Sequence, residues 1–366
     1  MDGAPSPPYP PPVARGRGAP SNHRPTRFGL AQHIVDPDWL DDVELVDGGP
    51  KRVRTSVTAD HAKNIIARNT SPDIGFDQSI NMYRGCEHGC IYCYARPSHA
   101  WFDLSPGLDF ETRLFAKPDA AKLLIRELAA KNYTPVPIAI GTNTDPYQPI
   151  ERDWRLTRDI IAVLAQYRHP LIITTKSDRI IRDIDLLTQM AEQNLVHVAI
   201  SVTTLDNGLA RTLEPRAPRP DRRLAAIAAL SAAGIPTQVN ISPIIPAITD
   251  GDLENILARA GDAGAYRASY ILLRLPHEVA PLFREWLQTH FPDRAAKVMH
   301  IVQDMRGGRD NDPDFGSRMR GKGVWADLVR ARFRRAARNL GLDRPAAPLN
   351  QQIFTAPERD GQMRLL

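Results

Sequence analysis

The stretch "RGCEHGCIYCYARPSHAW", residues 84–101, holds every cysteine of this 366-residue chain: Cys86, Cys90 and Cys93. An odd number of thiols cannot pair completely, and neighbours this close would form strained loops if paired. A disulfide framework is therefore not expected. The three thiols, spaced C-x3-C-x2-C, are predicted to be reduced and available as metal ligands.

Outward from this loop, strand-like and helix-like segments alternate regularly. Short runs of β-branched or apolar residues are bounded by Gly, Pro, Asn or Asp, and each is followed by a longer stretch with helical period. The predicted strands are residues 79–85, 136–142, 170–177, 196–204, 236–244 and 268–276. The predicted helices are residues 118–131, 155–168, 179–193, 221–233, 250–263 and 278–290.

This succession of strand-then-helix units predicts an α/β fold with a parallel sheet and right-handed crossovers. The strands are apolar almost throughout, which indicates that both faces of the sheet are covered. An open doubly wound sheet and a partial (β/α) barrel both satisfy the pattern. In either fold the reactive residues belong at the carboxyl ends of the strands. The cysteine loop directly follows the first predicted strand, so it occupies such a position.

The composition, 42% hydrophobic and 24% charged, is typical of a soluble globular protein. No run approaches the roughly 18 to 20 apolar residues of a membrane span, and no signal-peptide pattern is present. A cytoplasmic protein without membrane contact is the expectation. Residues 1–28 are rich in proline and are predicted to form a disordered tail, followed by an N-terminal arm at residues 29–75.

Three clustered thiols suit two kinds of metal centre. A structural zinc site needs four ligands, and the fourth would have to be His88 or His99. A cubane iron–sulfur cluster usually takes four thiolates, so three would leave one iron open to a small molecule. An open iron is a functional feature, because it can bind and reduce a cofactor.

The cysteine spacing, with the aromatic Tyr92 before the last cysteine, resembles the radical S-adenosylmethionine (SAM) superfamily. The resemblance covers roughly residues 75 to 290. It implies that Cys86, Cys90 and Cys93 hold a [4Fe–4S] cluster whose fourth iron is chelated by SAM. It also implies a one-electron reductant of the flavodoxin or ferredoxin type, and reductive cleavage of SAM to a 5′-deoxyadenosyl radical that takes hydrogen from a substrate. The implied fold is a partial (β/α)6 TIM-like barrel at residues 76–292.

Three later segments, residues 141–151, 174–187 and 201–250, resemble the spore photoproduct lyase-like branch of that superfamily. The resemblance implies a set of residues around SAM: Tyr92, Thr142, Asn143, Lys176, Ser201 and Arg216. Lys176 and Arg216 offer charge to the methionine carboxylate, whereas the hydroxyls and amide can orient the amino group and ribose. Judged from the residues alone, a Thr or Ser at a strand end is more often a cap or turn residue.

Several side chains near these motifs have two interpretations, as packing residues or as substrate contacts. They are His88, Tyr83 and Tyr94 around the cysteine loop, and Asp145, Tyr147 and Gln148 in the turn "DPYQP". The photoproduct lyase pattern also includes a cysteine outside the cluster motif that is associated with returning hydrogen to the product radical. This chain has none, so thymine-dimer repair by the same route is not expected.

The C-terminal region carries the surplus positive charge. Between Arg306 and Arg344 there are eleven Lys and Arg against five Asp, whereas the whole chain has a net charge of only +5. Residues 324–342 predict a helix with an apolar face and a basic stripe. The apolar face comprises Trp325, Val329, Phe333, Ala336 and Leu340, and the stripe comprises Arg330, Arg334 and Arg338. The stripe could bind nucleic-acid phosphates, or it could be the solvated face of a helix that closes the open barrel.

These observations lead to a predicted domain plan and three functional hypotheses. The barrel is followed by a basic helical extension at residues 293–345 and a tail at residues 346–366. The first hypothesis is a radical SAM enzyme acting on a nucleic acid or another macromolecule. The second keeps that chemistry but has a small molecule or peptide as substrate. The third is a non-catalytic nucleic-acid-binding module with an iron–sulfur or zinc centre.

Overall fold

The protein is described by a computed structural model that covers residues 16–23 and 53–358. The strands are β1 (Ser56–Ala59), β2 (Ile66–Arg68), β3 (Gln78–Ile80), β4 (Tyr83–Arg84), β5 (Arg113–Ala116), β6 (Ile138–Ile140), β7 (Leu171–Thr175), β8 (Val196–Ser201), β9 (Thr237–Ile244) and β10 (Arg267–Leu272). The α-helices are α1 (Asp109–Thr112), α2 (Ala120–Leu128), α3 (Glu151–Trp154), α4 (Leu156–Gln166), α5 (Ile184–Glu192), α6 (Asn207–Leu213), α7 (Pro220–Ala232), α8 (Leu253–Asp262), α9 (Val279–His290), α10 (Pro292–Asp304) and α11 (Gly323–Asn339). Three-ten helices occupy Arg96–Phe102, Asp178–Asp183 and Asp250–Asp252.

The main sheet has seven strands in the order β10-β9-β8-β7-β6-β3-β2. Six strands of this sheet run parallel to one another, namely β3, β6, β7, β8, β9 and β10. Strand β2 pairs with β3 in the antiparallel sense. The parallel strands follow chain order across the sheet, whereas a doubly wound sheet reverses its order at a switch point. Within the described residues, the two outer strands do not pair with each other. The sheet is therefore the predicted partial (β/α)6 barrel, open on one side.

The first predicted strand, residues 79–85, is divided between two sheets. Its first part is β3 in the barrel, but the chain then turns, and β4 joins a second sheet of order β1-β5-β4. The cysteine loop begins directly after β4, and α1 and β5 follow it at residues 109–116. The small sheet thus supports the loop from outside the barrel, and the sequence pattern did not indicate it.

The predicted helical face of residues 155–168 is the one that packs on the sheet. In α4, Leu156, Ile160, Val163 and Leu164 are all buried. Apolar residues at this spacing form one stripe along a helix, and burial of that stripe stabilises the helix on the sheet. The strands behind it are apolar on both faces, as β8 shows with three adjacent buried residues, Val198, Ala199 and Ile200.

Residues 16–23 of the predicted disordered tail have a defined place in the structure. Ala19 is fully buried, and Arg17 donates hydrogen bonds to the carbonyl oxygens of Val53 at 2.7 Å and Glu111 at 2.9 Å. These long-range partners supply the interactions that composition alone does not reveal. The rest of the predicted tail, and residues 29–52 of the predicted arm, lie outside the described residues.

The open side of the barrel is spanned by residues 307–321, here called the closing loop. On one side, the N–H of Leu272 at the end of β10 donates to the Met319 carbonyl oxygen at 3.1 Å. On the other side, Arg318 pairs with Asp73 at 2.5 Å, and the N–H of Gly316 donates to the same carboxylate at 2.6 Å. Asp73 belongs to the turn between β2 and β3, so the loop connects the two edges of the sheet.

Helix α11 packs beside the barrel and does not close it. Val329 is buried, and the rings of Phe333 and Tyr270 in β10 lie 4.6 Å apart. Trp325 and Ala336 are partly buried, as predicted, but Leu340 is 42% exposed. The helix ends at Asn339, so the helical period no longer applies to Leu340.

The basic stripe of α11 is partly neutralised. Arg330 pairs with Asp327 at 2.9 Å, and Arg338 lies 3.9 Å from Asp343. Arg334 is exposed. The stripe therefore offers less free charge to a polyanion than the sequence alone indicates. None of the described helices is both long enough and apolar enough to span a bilayer.

Candidate active site

The cysteine loop presents its thiols at the carboxyl end of the barrel. Cys86 and Cys90 are each 7% exposed, and Cys93 is partly exposed. Backbone hydrogen bonds fold the loop into successive turns, from Gly89 N–H to the Cys86 carbonyl at 3.4 Å and from Cys93 N–H to the Cys90 carbonyl at 3.2 Å. Gly89 has φ +67°, a left-handed conformation that glycine adopts without steric cost.

A buried ion pair lies directly beneath this loop. Arg96 and Glu111 are both fully buried, with 2.6 Å between Nη2 and Oε1. Arg96 also donates from Nε to the Cys90 carbonyl at 2.9 Å and from Nη2 to the Gly89 carbonyl at 3.2 Å. The pair thus fixes the backbone between the first two cysteines. Neither residue belongs to a recognised motif, although an arginine so close to the cysteines is a sequence signal for such support.

The N-terminal segment completes this support. Glu111 accepts the N–H groups of Gly18 at 2.9 Å and Ala19 at 2.8 Å. A side chain at Gly18 would meet the Gly89 carbonyl oxygen at 1.7 Å, so only glycine allows this approach. Residues 16–23 are therefore part of the cysteine-loop structure.

The turn "DPYQP" after β6 is built into the same support. Gln148 is fully buried, accepts the N–H of Glu87 at 2.9 Å and donates to the Gly85 carbonyl at 3.2 Å, so it brackets Cys86 on both sides. Tyr147 is also fully buried. These contacts favour the structural interpretation of the turn over direct substrate binding.

Asp145, from the same turn, ties three loops together. Its carboxylate accepts the Thr175 hydroxyl at 2.6 Å and the Lys176 N–H at 2.8 Å, and it lies 3.4 Å from Nδ1 of His88. Burial would raise the pKa of Asp145, but His88 and the hydrogen bonds lower it to about 2. The carboxylate is therefore ionised, and it holds the cysteine loop against the end of β7.

The thiols are electrostatically coupled to one another. Burial raises the pKa of Cys86, with further contributions from Asp145 and from the other two thiols. Burial raises the pKa of Cys90 to about 12, although Lys176 opposes the shift. Because only the thiolate form is a metal ligand, metal binding by these cysteines must release their protons.

The donor set fits an iron–sulfur cluster better than a zinc ion. Within residues 16–23 and 53–358, no three His, Cys, Asp or Glu side chains gather around one metal-ion position. Of the two candidate fourth ligands, His88 faces Asp145, and Nε2 of His99 lies 3.0 Å from the Arg113 carbonyl oxygen. In a cubane cluster each of the three thiolates would bind a different iron atom. Three thiols that do not surround a single metal-ion position therefore suit a cubane better than a zinc ion.

Tyr92 belongs to a buried polar network with Glu214. Its hydroxyl donates to Glu214, which also accepts the Thr203 hydroxyl at 2.8 Å and pairs with the buried Arg223. Burial would raise the pKa of Glu214, but Arg223 and Lys176 lower it to about 2. The Tyr92 hydroxyl is thus committed to the protein, which leaves its ring as the part available to a ligand.

Lys176 lies beside this network, immediately after β7. Its Nζ is 5.8 Å from the centre of the Tyr92 ring. Burial lowers the pKa of Lys176, but attraction by Cys90 and Glu214 outweighs it, so the pKa is raised. The structure therefore places the charged ammonium group of Lys176 against the ring of Tyr92, which belongs to the cysteine loop.

The other predicted SAM residues lie at strand ends around the same mouth. Thr142, after β6, exchanges hydrogen bonds with Asn81 at 3.1 Å, and Asn143 next to it is exposed. Ser201 is 4% exposed at the end of β8. Arg216 pairs with Glu87 at 3.1 Å, on the cysteine loop. Their contacts with SAM stay predictions.

An α/β partial barrel with a three-cysteine loop at its carboxyl end is the arrangement expected of an enzyme that binds a metal cluster. The chain belongs to the radical SAM superfamily, whose family model matches residues 80–260. Enzymes of this superfamily use a [4Fe–4S] cluster and SAM, and these are the cofactors of this chain. They also require a reductant.

The chain is also similar to individual proteins and solved structures. An uncharacterized protein of Mycobacterium tuberculosis strain H37Rv is 36% identical over 275 residues, which cover 75% of this chain and 78% of the relative. An uncharacterized protein of Methanocaldococcus jannaschii is 29% identical over 214 residues, covering 58% and 76%. Among solved structures, spore photoproduct lyase complexed with dinucleoside spore photoproduct superposes with a TM-score of 0.55 at 13% identity, covering 78% of this chain and 79% of the lyase. At that identity the likeness concerns the fold alone.

Proposed function

We propose that this protein is a radical SAM enzyme in which Cys86, Cys90 and Cys93 bind the cluster and the neighbouring strand ends bind SAM. When bound, the cluster would supply the electron that cleaves SAM into methionine and a 5′-deoxyadenosyl radical, and that radical would take a hydrogen atom from the substrate. The observation that carries the proposal is the position of the three thiols on one loop at the carboxyl end of the barrel, with Nζ of Lys176 5.8 Å from the centre of the Tyr92 ring on that loop.

The chain's own residues have distinct tasks in this proposal. Lys176 attracts the methionine carboxylate of SAM, and Arg223 with Glu214 holds the Tyr92 ring that lines the same space. Thr142 and Asn143 after β6 offer a hydroxyl and an amide group, and Ser201 offers a second hydroxyl from the end of β8. Arg216, already paired with Glu87, contributes by holding the cysteine loop or by turning toward the carboxylate when SAM binds.

Anaerobic reconstitution tests the proposed function. Protein supplied with iron and sulfide should gain a brown chromophore whose electron paramagnetic resonance spectrum, after reduction, changes when SAM is added. Dithionite should then drive formation of 5′-deoxyadenosine without any substrate. Zinc binding without such a chromophore, or a cluster that is indifferent to SAM, would support the non-catalytic module instead.

Lys176→Ala should weaken SAM binding. Loss of a charge-assisted hydrogen bond costs about 1.5–3 kcal/mol, so the dissociation constant for SAM should rise by roughly ten- to a hundredfold. The cluster content should not change, because Lys176 is not a ligand. Calorimetric titration of the reconstituted protein measures the affinity, and Lys322→Ala, which removes an exposed charge, is the matched control. Equal SAM affinity in the wild type and both variants would remove Lys176 from the site.

A nucleic-acid substrate is a finer proposal within this function. Spore photoproduct lyase, which shares the fold, is described with a dinucleoside photoproduct bound. This chain has no cysteine outside Cys86–Cys93 to return hydrogen to a product radical. A tyrosine could take that role: Tyr147 is fully buried, whereas Tyr94 follows the last cysteine and is 50% exposed. We therefore favour Tyr94 as the internal hydrogen donor.

A further inference from the structure

Three arginines gather where the closing loop meets the end of β10. Arg274 is the second residue after β10, and its guanidinium carbon lies 6.0 Å from the centre of the Tyr94 ring. Arg306 and Arg318 lie close enough to Arg274 to affect its pKa or to be affected by it. This arginine cluster, Arg274, Arg306 and Arg318, was not indicated by the sequence, because its members are far apart in the chain.

Two of the three arginines have structural partners. Arg318 pairs with Asp73 at 2.5 Å and donates to the Ser71 hydroxyl at 2.6 Å. Arg306 is 3% exposed, and its terminal nitrogens donate to four backbone carbonyl groups. Those carbonyl groups belong to Leu272, Leu273, Ser317 and Arg318. Arg306 therefore joins the end of β10 to the closing loop, and it brings a buried positive charge that carbonyl dipoles do not neutralise.

Arg274 has weaker partners than the other two. Its Nη1 donates to the sulfur of Met319 at 3.4 Å, and sulfur is a poor acceptor. Its Nε is buried and has no acceptor anywhere in the described part of the chain; the same is true of Nε of Arg306. A buried donor without an acceptor is costly, and such groups in native structures call for a ligand or ordered water.

The neighbouring carboxylates are engaged elsewhere. Asp73 is held by Arg318, and Asp312 accepts the Ser317 hydroxyl at 2.6 Å. Burial and repulsion by Arg318 lower the pKa of Arg274, and the opposing attraction by Tyr94, Asp73 and Asp312 does not offset them. The guanidinium groups of Arg274 and Arg318 therefore repel each other at this position. An anion bound here would reduce that repulsion and would accept a hydrogen bond from Nε of Arg274.

We propose that Arg274 binds an oxyanion of the substrate, a phosphodiester or a carboxylate, at the mouth of the barrel beside Tyr94. A guanidinium group presents paired donors that match both of these anions. The inference rests on the proposed function and extends it, since it names the charged group that the substrate must carry. Arg306 is a positioning residue, because it holds the strand end and the closing loop on either side of Arg274.

The site lies beside the exposed end of the cysteine loop, where Cys93 is partly exposed and Tyr94 is exposed. Tyr94 is adjacent to Cys93, and its hydroxyl donates to the Thr142 carbonyl at the end of β6. Arg274 reaches the same ring from β10, at the opposite edge of the parallel strands. An oxyanion held by Arg274 would therefore place the substrate next to the exposed tyrosine.

The test uses holoenzyme reconstituted under anaerobic conditions with SAM present, and two pairs of probes. Thymidylyl-3′,5′-thymidine carries one phosphodiester, and its methylphosphonate analogue is uncharged. Acetyl-dialanine carries one carboxylate, and its amide is uncharged. Calorimetry should show that the wild type binds one of the charged probes at least tenfold more tightly than its uncharged analogue. The pair that shows this preference identifies the anion as a phosphodiester or a carboxylate.

Arg274→Gln should abolish this preference for the charged probe, and Arg274→Lys should restore part of it. The matched control is Arg309→Gln, which removes an exposed charge from the closing loop and should keep the preference. A wild type without preference in either pair, or an Arg274→Gln protein that keeps it, would overturn the proposal. So would a loss of SAM affinity in Arg274→Gln, because the guanidinium would then bind the carboxylate of SAM.

Substrate-free formation of 5′-deoxyadenosine, measured on the same preparations, separates the two levels of inference. If the wild type fails to cleave SAM, the proposed function is wrong whatever the probes do. If it cleaves SAM normally but shows no preference for a charged probe, the radical SAM assignment stands and only the oxyanion site is rejected.

Discussion

Cys90→Ala will yield a protein that retains almost no cluster and forms no 5′-deoxyadenosine. All three thiols of the chain are assigned to one cubane, so no other cysteine can replace the missing ligand. Iron and sulfide, expected at about four each per chain in the wild type, should fall to background after desalting. Colorimetric iron and sulfide analysis, together with chromatographic detection of 5′-deoxyadenosine, measures both effects.

Tyr94→Phe is the control for this prediction. It changes the residue next to Cys93 but preserves every thiol, so its cluster content should equal that of the wild type. A Cys90→Ala protein that still cleaved SAM at the wild-type rate would show that the three cysteines are not the cluster ligands. The same measurements on Cys86→Ala and Cys93→Ala should give the same loss, because each cysteine serves one iron.

Arg96→Ala should destabilise the folded protein by about 3–5 kcal/mol, the usual cost of removing one partner from a buried ion pair. Glu111 would be left as an uncompensated buried carboxylate, and the Gly89 and Cys90 carbonyls would lose their donor. The loop between the first two cysteines should then be mobile, and cluster retention should fall with it. Urea unfolding of the apoprotein measures the stability, and iron content after reconstitution measures the second effect.

The matched control is Arg152→Ala, which breaks the pair that Arg152 forms with Asp153 on the surface. Because both side chains are largely exposed, the unfolding midpoint and iron content should match those of the wild type. An Arg96→Ala protein as stable as this control would mean that the buried pair does not hold the loop. Arg96→Lys keeps the charge but loses the planar guanidinium group. Its unfolding midpoint and iron content should therefore lie between those of Arg96→Ala and Arg152→Ala.

The barrel could be predicted from the sequence because its determinants are local. The strands β6 to β10 are short, largely apolar runs next to helices, and their predicted bounds lie within a few residues of the observed ones, whereas the first predicted strand is divided between β3 and β4. Neighbouring strands in the sheet are also neighbours in the chain order of those runs. The position of the cysteine loop followed from the general rule that chemistry lies at the carboxyl ends of parallel strands.

The support around the site could not be predicted in the same way, because it depends on long-range pairing. Arg318 and Asp73, which join the two edges of the sheet, lie 245 positions apart. The partners of Glu111 in the N-terminal segment are more than 90 positions away in a stretch whose composition indicates disorder. Periodicity reports which face of an element is buried, but it carries no information about which distant polar group lies there.

The closing loop has a consequence for how the chain is made. Each parallel strand leaves the ribosome next to a neighbour that already exists, so the sheet can grow one strand at a time with short-range contacts. The cysteine loop is complete by residue 93, whereas the loop that spans the open side begins only at residue 307. During most of synthesis the thiols of the nascent barrel therefore lie near a sheet edge that the closing loop does not yet cover. Truncation before the closing loop would leave that edge free to pair with another chain, and aggregation is the expected fate of such fragments.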